Sequence, residues 1–143
     1  MFLLDTNVIS ELRKTGTSKA NANVVAWAST VPVADLYLCA ITVLELELGI
    51  LQLERKDPSQ AQPLRKWLEE QVLPSFRGRI LPVDTAVAVR CAALHVPNRR
   101  SERDALIAAT ALAHGMTVVT RNISDFSGTG VPLIDPWVGA GLG

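Results

Sequence analysis

The chain has 143 residues, 48% of them hydrophobic, which suffices for one domain with its own core and falls short of two ordinary domains. Fourteen lysines and arginines balance fourteen aspartates and glutamates, so no overall positive charge draws the molecule onto nucleic acid or a membrane surface. Any polyanionic substrate must be met by local patches. The stretch before the first charge is too short for a signal peptide, and no later run approaches the ~20 apolar residues of a membrane span. The expected location is the cytoplasm, with no membrane contact.

Phe2 to Leu4 form a short apolar run of the kind that makes a buried strand, and it stops at Asp5-Thr6-Asn7. A short helix over Val8 to Arg13 follows, then a polar turn around Thr15 to Ser18. Val24, Val25, Trp27 and Ala28 give a second helix its apolar side, and Pro32 closes it. Leu36 to Ile41 reads as a strand. Thr42 opens a helix with Leu44, Leu48 and Leu51 on one face, and Asp57-Pro58 introduces another, whose firm start is expected near Pro63 and whose end is expected at Pro74. Arg79 to Val83 is a strand, after which Asp84 caps a helix that closes before Pro97. Asn98 to Arg103 is a charged loop, and Asp104 to His114 is an alanine-rich helix capped by Gly115. Thr117 to Thr120 and Val131 to Ile134 complete the strands. Residues 1–137 therefore form a single domain and 138–143 a loose, glycine-rich tail. Strands alternating with helices imply a three-layer α/β/α architecture around a mostly parallel sheet of about five strands. Cys39 and Cys91 lie in apolar contexts and read as reduced, buried thiols, since neither has the neighbouring ligands that zinc requires.

Four acids fall where elements begin or end near one rim: Asp5, Glu45, Asp104 and Asp125. In open α/β sheets the crevice beyond the strand ends binds ligands. Converging carboxylates repel one another unless a cation sits between them, and Mg²⁺ or Mn²⁺ favours such oxygen ligands. Each acid also has a plainer explanation. Asp5 is well placed to cap the first helix; Thr42-Val43-Leu44-Glu45 matches a capping box and Ser101-Glu102-Arg103-Asp104 nearly does; Asp125 sits in a loop, with Asn122 a competing ligand. Arg99, Arg100, Arg103 and Arg121 place positive charge beside the rim, where they either hold phosphates or are simply solvated. The tryptophans read as core or partner contacts, and His95 and His114 as dipole-complementing residues at helix ends.

The stretches Leu3 to Ser10, Ala40 to Glu45 with Leu48-Gly49, Asp104 to Ala111, and Thr120-Arg121-Asn122 with Asp125-Phe126 together resemble PIN-domain proteins, in particular the VapC and FitB-like toxins of bacterial toxin–antitoxin pairs. The resemblance covers nearly the whole chain in order. It implies a Mg²⁺-dependent endoribonuclease, with Asp5, Glu45 and Asp104 matching the three acids of the family's site and Asp5 and Asp104 its usual metal ligands. Asn122 stands where some relatives carry an aspartate, whereas others have asparagine there and an acid three residues on, as Asp125 is here. Thr6 and Thr120 are placed to support the ligands. The mechanism implied is in-line attack of a metal-activated water on an RNA phosphodiester, leaving a 5′-phosphate and a 3′-hydroxyl. The resemblance further implies a cognate VapB-type antitoxin and a homodimer within a larger toxin–antitoxin complex. The alternatives are a non-catalytic PIN-fold module that binds a partner, an aspartyl phosphatase of the haloacid-dehalogenase type, which the missing second aspartate of Asp5-Thr6-Asn7 disfavours, and cleavage of DNA instead of RNA.

Overall fold

The computed structural model describes residues 1–139, and the end of the expected C-terminal tail, residues 140–143, lies outside the described residues. Five strands pair side by side: β1 (Phe2–Leu4), β2 (Leu36–Cys39), β3 (Ile80–Leu81), β4 (Thr117–Val119) and β5 (Leu133–Ile134). Their order is β3-β2-β1-β4-β5 and every pairing is parallel. The sheet is thus wholly parallel where sequence patterning predicts a mostly parallel one. β2 and β3 lie on one side of β1, and β4 and β5 on the other. The order therefore reverses between β1 and β4, and at such a reversal the connections leave in opposite directions and open a crevice beyond the strand ends.

Alternation along each strand builds two cores, because successive side chains point to opposite faces. Leu4, Leu36, Leu38 and Val119 pack on one face with Val8, Ile9, Leu46, Ile50, Leu68, Val72 and Phe76. Leu3, Cys39 and Val118 pack on the other with Ile107, Ala108, Ala111 and Phe126. Helices α1 (Thr6–Leu12), α2 (Ala22–Ser29), α3 (Ala40–Lys56) and α4 (Pro58–Trp67) contribute to or lie against the first core. Helix α5 (Leu73–Ser75) is a single turn, and α6 (Thr85–Leu94) and α7 (Glu102–His114) pack together through Val87, Cys91, Ala105 and Ala109. The small side chains of α7 allow this close approach. Among the described residues no helix is long and apolar enough to cross a membrane.

Several boundaries differ from those the sequence suggests, for identifiable reasons. Strand β2 stops at Cys39, because the Cys39 sulfur accepts the Ile41 amide at 3.4 Å and starts α3 at Ala40. Thr42 therefore lies inside the helix. Helix α4 starts at Pro58, as Asp57 Oδ1 takes the Gln60 amide at 3.3 Å and the Ser59 hydroxyl at 2.7 Å. The bond that Pro63 cannot make would have reached the Ser59 carbonyl in the first turn, where Ser59 is exposed to solvent. Nor does Pro74 end the helical run. A widened π turn over Leu68–Val72 sends the Leu73 amide back to the Leu68 carbonyl, and Pro74 follows in the first turn of α5, where no amide partner is needed. Asp84 caps α6 through the Val87 amide at 3.0 Å, and Gly115 ends α7 at φ +65°, both as the sequence pattern predicts.

Candidate active site: an acid rim at the strand-order reversal

Register places Asp5 beside Thr120. Leu4 pairs with Val119, and the Asp5 amide extends the ladder by donating to the Val119 carbonyl at 2.9 Å. The Asp5 side chain is 6% exposed and satisfied at both oxygens. Oδ1 accepts the Thr6 amide at 2.8 Å, while Oδ2 accepts the Thr120 hydroxyl at 2.8 Å and the Asn7 amide group at 3.4 Å. Capping α1 and lining the crevice are thus compatible uses of one carboxylate. Burial pushes its pKa above the usual aspartate value; the Thr120 and Thr6 bonds pull the other way, and the charges of Glu45 and Asp125 add to the rise.

Glu45 lies one turn into α3. It cannot form the capping box with Thr42, since Thr42 is itself a buried helical residue. Instead Glu45 Oε1 accepts the Thr6 hydroxyl at 2.7 Å, and Oε2 lies 3.6 Å from a guanidinium nitrogen of Arg103. Asp104 occupies the first turn of α7, and the Ser101 side chain makes no capping bond there. Burial raises the Asp104 pKa first, followed by the charges of Asp125, Asp5 and Glu45, with the Ser101 hydroxyl opposing. The charges of Asp5, Glu45 and Asp125 all act on Asp104, so the topology gathers acids from across the chain.

Asn122 and Asp125 are distinguished by their surroundings. The Asn122 amide donates to the Thr120 hydroxyl at 3.0 Å, and the Asn122 carbonyl accepts the Asp125 amide at 3.0 Å in a 3₁₀ turn over Ile123–Phe126. Asp125 is the one whose charge acts on both Asp5 and Asp104. Thr120 is the hub: its buried hydroxyl donates to Asp5 and accepts from Asn122.

Two residues take parts that sequence reasoning left unassigned. Asn7 Nδ2 also reaches the Thr120 hydroxyl at 3.4 Å, while Asn7 Oδ1 accepts the Arg121 amide at 3.2 Å, so this side chain ties the ends of β1 and β4 together. Its place two residues after a strand-end acid was the available signal. Arg103 is the second, through its pairing with Glu45. By contrast Arg100 is a loop tie, donating to the Leu94 carbonyl at 3.0 Å and the Ser127 carbonyl at 2.7 Å. His95 Nδ1 accepts the Arg100 amide at 3.1 Å, which gives it a local structural use. Trp27 packs edge-on against Phe2 with centroids 5.4 Å apart. Cys39 and Cys91 are free and buried, and burial raises both thiol pKa values.

Among the described residues, no group of three or more His, Cys, Asp or Glu side chains closes on a common point tightly enough to hold an ion unaided. The donor set nevertheless suits a hard divalent cation. It consists of carboxylate oxygens, and burial together with the charges of neighbouring acids makes two of the carboxyl groups, Asp5 and Asp104, resist ionisation. Mg²⁺ is commonly held by one or two carboxylates with waters completing its shell, so a tight protein cage is not required.

A model of the PIN domain matches residues 2–130. The chain belongs to the PIN-domain family. This PIN domain is 41% identical over 142 residues to the toxin FitB of Neisseria gonorrhoeae, covering 96% of this chain and 99% of the relative. It is 39% identical over 142 residues to the VapC ribonuclease Y4jK of Sinorhizobium fredii, covering 96% and 98%. The structure of FitAB bound to an IR36 DNA fragment contains a chain that superimposes with a TM-score of 0.85 at 39% identity, covering 96% of each chain. The PIN-domain resemblance read from the sequence and the three-layer fold it implied are both borne out.

Proposed function

We propose that this PIN domain is the toxin of a toxin–antitoxin pair and acts in the cytoplasm as a Mg²⁺- or Mn²⁺-dependent endoribonuclease. The observation that carries the reading is the gathering of Asp5, Glu45, Asp104 and Asp125 at the strand-order reversal, with burial and mutual repulsion raising the pKa of Asp5 and Asp104. Similarity over nearly full length to a FitB toxin and a VapC ribonuclease supports it. Asp5 and Asp104 would hold the ion, with Asp125 as the further acidic ligand and Asn122 a neutral carbonyl beside it. A divalent ion bound there would activate water and offset the charge of the phosphodiester under attack.

The chain's own residues do the rest. Thr120 and Thr6 fix the Asp5 carboxylate through one hydrogen bond to each oxygen, so its ligand orientation precedes binding. The Thr6 hydroxyl steadies Glu45 at Oε1 and Arg103 lies 3.6 Å from Oε2, so the carboxylate is held in place to orient the attacking water. Because water and not the ribose 2′-hydroxyl is the nucleophile, products carry a 5′-phosphate and a 3′-hydroxyl. A cognate antitoxin that covers the acid rim and a homodimeric arrangement within a larger complex complete the reading.

End-group analysis of RNA cut by the purified, antitoxin-free protein tests this. Fragments that accept ligation at a 5′-phosphate and extension at a 3′-hydroxyl are expected; 2′,3′-cyclic phosphate ends would overturn the mechanism.

A further inference from the structure

Arg121 directly follows Thr120, the hub of the acid rim, and its backbone amide is fixed by Asn7 Oδ1 at 3.2 Å. Its guanidinium lies over the Trp137 ring, 5.3 Å from the centroid. Trp137 is itself held in place: its amide donates to Asp135 Oδ1 at 2.9 Å and its carbonyl accepts Asn23 Nδ2 at 2.7 Å. Arg121 is exposed, and among the described residues no carboxylate pairs with it. Glu11, whose pKa its charge lowers, already takes Lys14 on one oxygen and the Asn21 amide on the other.

A stacked guanidinium keeps its planar fork of donors open at the edge while the aromatic face restricts its rotamers, so less freedom is lost when it engages an anion. Arg103 differs in this respect, since it is already engaged with Glu45. The overall charge of the chain is zero, so a polyanion near the acidic rim needs a preplaced cation of this kind.

We propose that Arg121, stacked on Trp137 and anchored through Asn7, is a phosphate clamp for the RNA strand beside the scissile bond. This rests on the ribonuclease reading and names how that site holds its substrate. The clamp contacts a phosphate and not a base edge, so it acts on every sequence alike. Trp137 and Asn7 are positioning residues.

The test is equilibrium binding of a fluorescein-labelled single-stranded RNA to the full chain in EDTA across a salt series, alongside metal-supported cleavage kinetics. The variants are Arg121→Gln, Arg121→Lys, Trp137→Leu and the control Arg77→Gln, an exposed cation ahead of β3 at the opposite edge of the sheet. For Arg121→Gln the slope of log K against log salt is expected to shrink by about 0.7, the release from one single-strand phosphate. KM should rise about ten-fold with kcat within two-fold. Arg121→Lys retains the slope but not the full affinity, and Trp137→Leu behaves likewise. Arg77→Gln leaves both slope and KM unchanged. Wild-type cleavage with an unaltered slope and KM in Arg121→Gln overturns the clamp and leaves the ribonuclease reading standing, as does an equal slope loss in Arg77→Gln. Slope loss confined to Arg121→Gln in a protein that cleaves no RNA leaves an RNA-binding arginine with no scissile bond beside it, and overturns the ribonuclease reading together with the clamp that rests on it.

Discussion

Asp5 is at once a helix cap, through Oδ1, and a buried rim acid whose Oδ2 takes the Thr120 hydroxyl. Its position at the end of an apolar run was legible in the sequence. Its partner Thr120 was not, because 115 residues separate them and only parallel pairing of β1 with β4 makes them neighbours. Asp104 gives the cleaner electrostatic test, since replacing it removes no helix-capping bond. Its raised pKa means that the folded chain binds this proton more tightly than the unfolded chain does. The resulting stability is complete below the unfolded value of about 3.9 and is lost as pH rises through the higher folded value. At pH 7 the metal-free wild type therefore carries a penalty that asparagine removes. Asp104→Asn should melt about 2–4 °C above wild type at pH 7 and level with it near pH 3, and Mg²⁺ should raise the wild-type Tm alone. A metal-free Asp104→Asn protein that melts lower at pH 7 would contradict the electrostatic reading. For Thr6→Val, kcat should fall about 10-fold or more while the fold persists, since the Thr6 amide still caps through Asp5 and only the hydroxyl on Glu45 is lost. Steady-state kinetics beside Thr6→Ser would check this, with serine restoring most of the rate.

Helices were read well where capping followed common preferences, as at Asp84 and Gly115. They were misread where an unusual group did the work. Cysteine is not among the usual caps, so the start of α3 at Ala40 was concealed and Glu45 looked like half of a capping box. The π turn that carries the chain past Pro74 leaves no simple periodic trace. Thr42 shows the consequence in energetic form: it is fully buried, and its hydroxyl has no hydrogen-bond partner among the described residues. Thr42→Val keeps the shape and removes the orphaned group, which costs roughly 1–3 kcal/mol to leave unpaired, so Tm should rise by several degrees. An unchanged or lower Tm would show that the hydroxyl is satisfied in solution. Glycines in two helical settings should respond oppositely. Gly115→Ala forces a side chain into φ +65° and should cost about 1–2 kcal/mol, whereas a Cβ at Gly49 within α3 meets open space and should stabilise by about 0.5–1 kcal/mol. Chemical denaturation of the two variants measures both.

At the scale of the whole molecule, alternating elements made the three-layer class legible, but not the strand order. Sequence carries no direct sign that β1 is central or that the chain turns back across it at β4, and that reversal is what assembles the rim. Hydrophobic alternation in β1, β2 and β4 supplies the two cores that hold this order, and the acids are placed by the strand ends and the helices that follow. The balanced net charge bears on the proposed function: an RNA substrate would be drawn only by local cations beside the acidic crevice, so its binding should weaken with salt more shallowly than that of a broadly basic nuclease. The most direct measurement is cleavage of a panel of structured RNAs by purified, antitoxin-free wild type, Asp5→Asn and Asp104→Asn proteins, each with Mg²⁺, Mn²⁺ or EDTA. Defined cuts that need the metal and vanish in both folded variants are the expected result. Cuts that persist in EDTA, or in either variant at the wild-type rate, would contradict a metal-dependent site built on these two carboxylates.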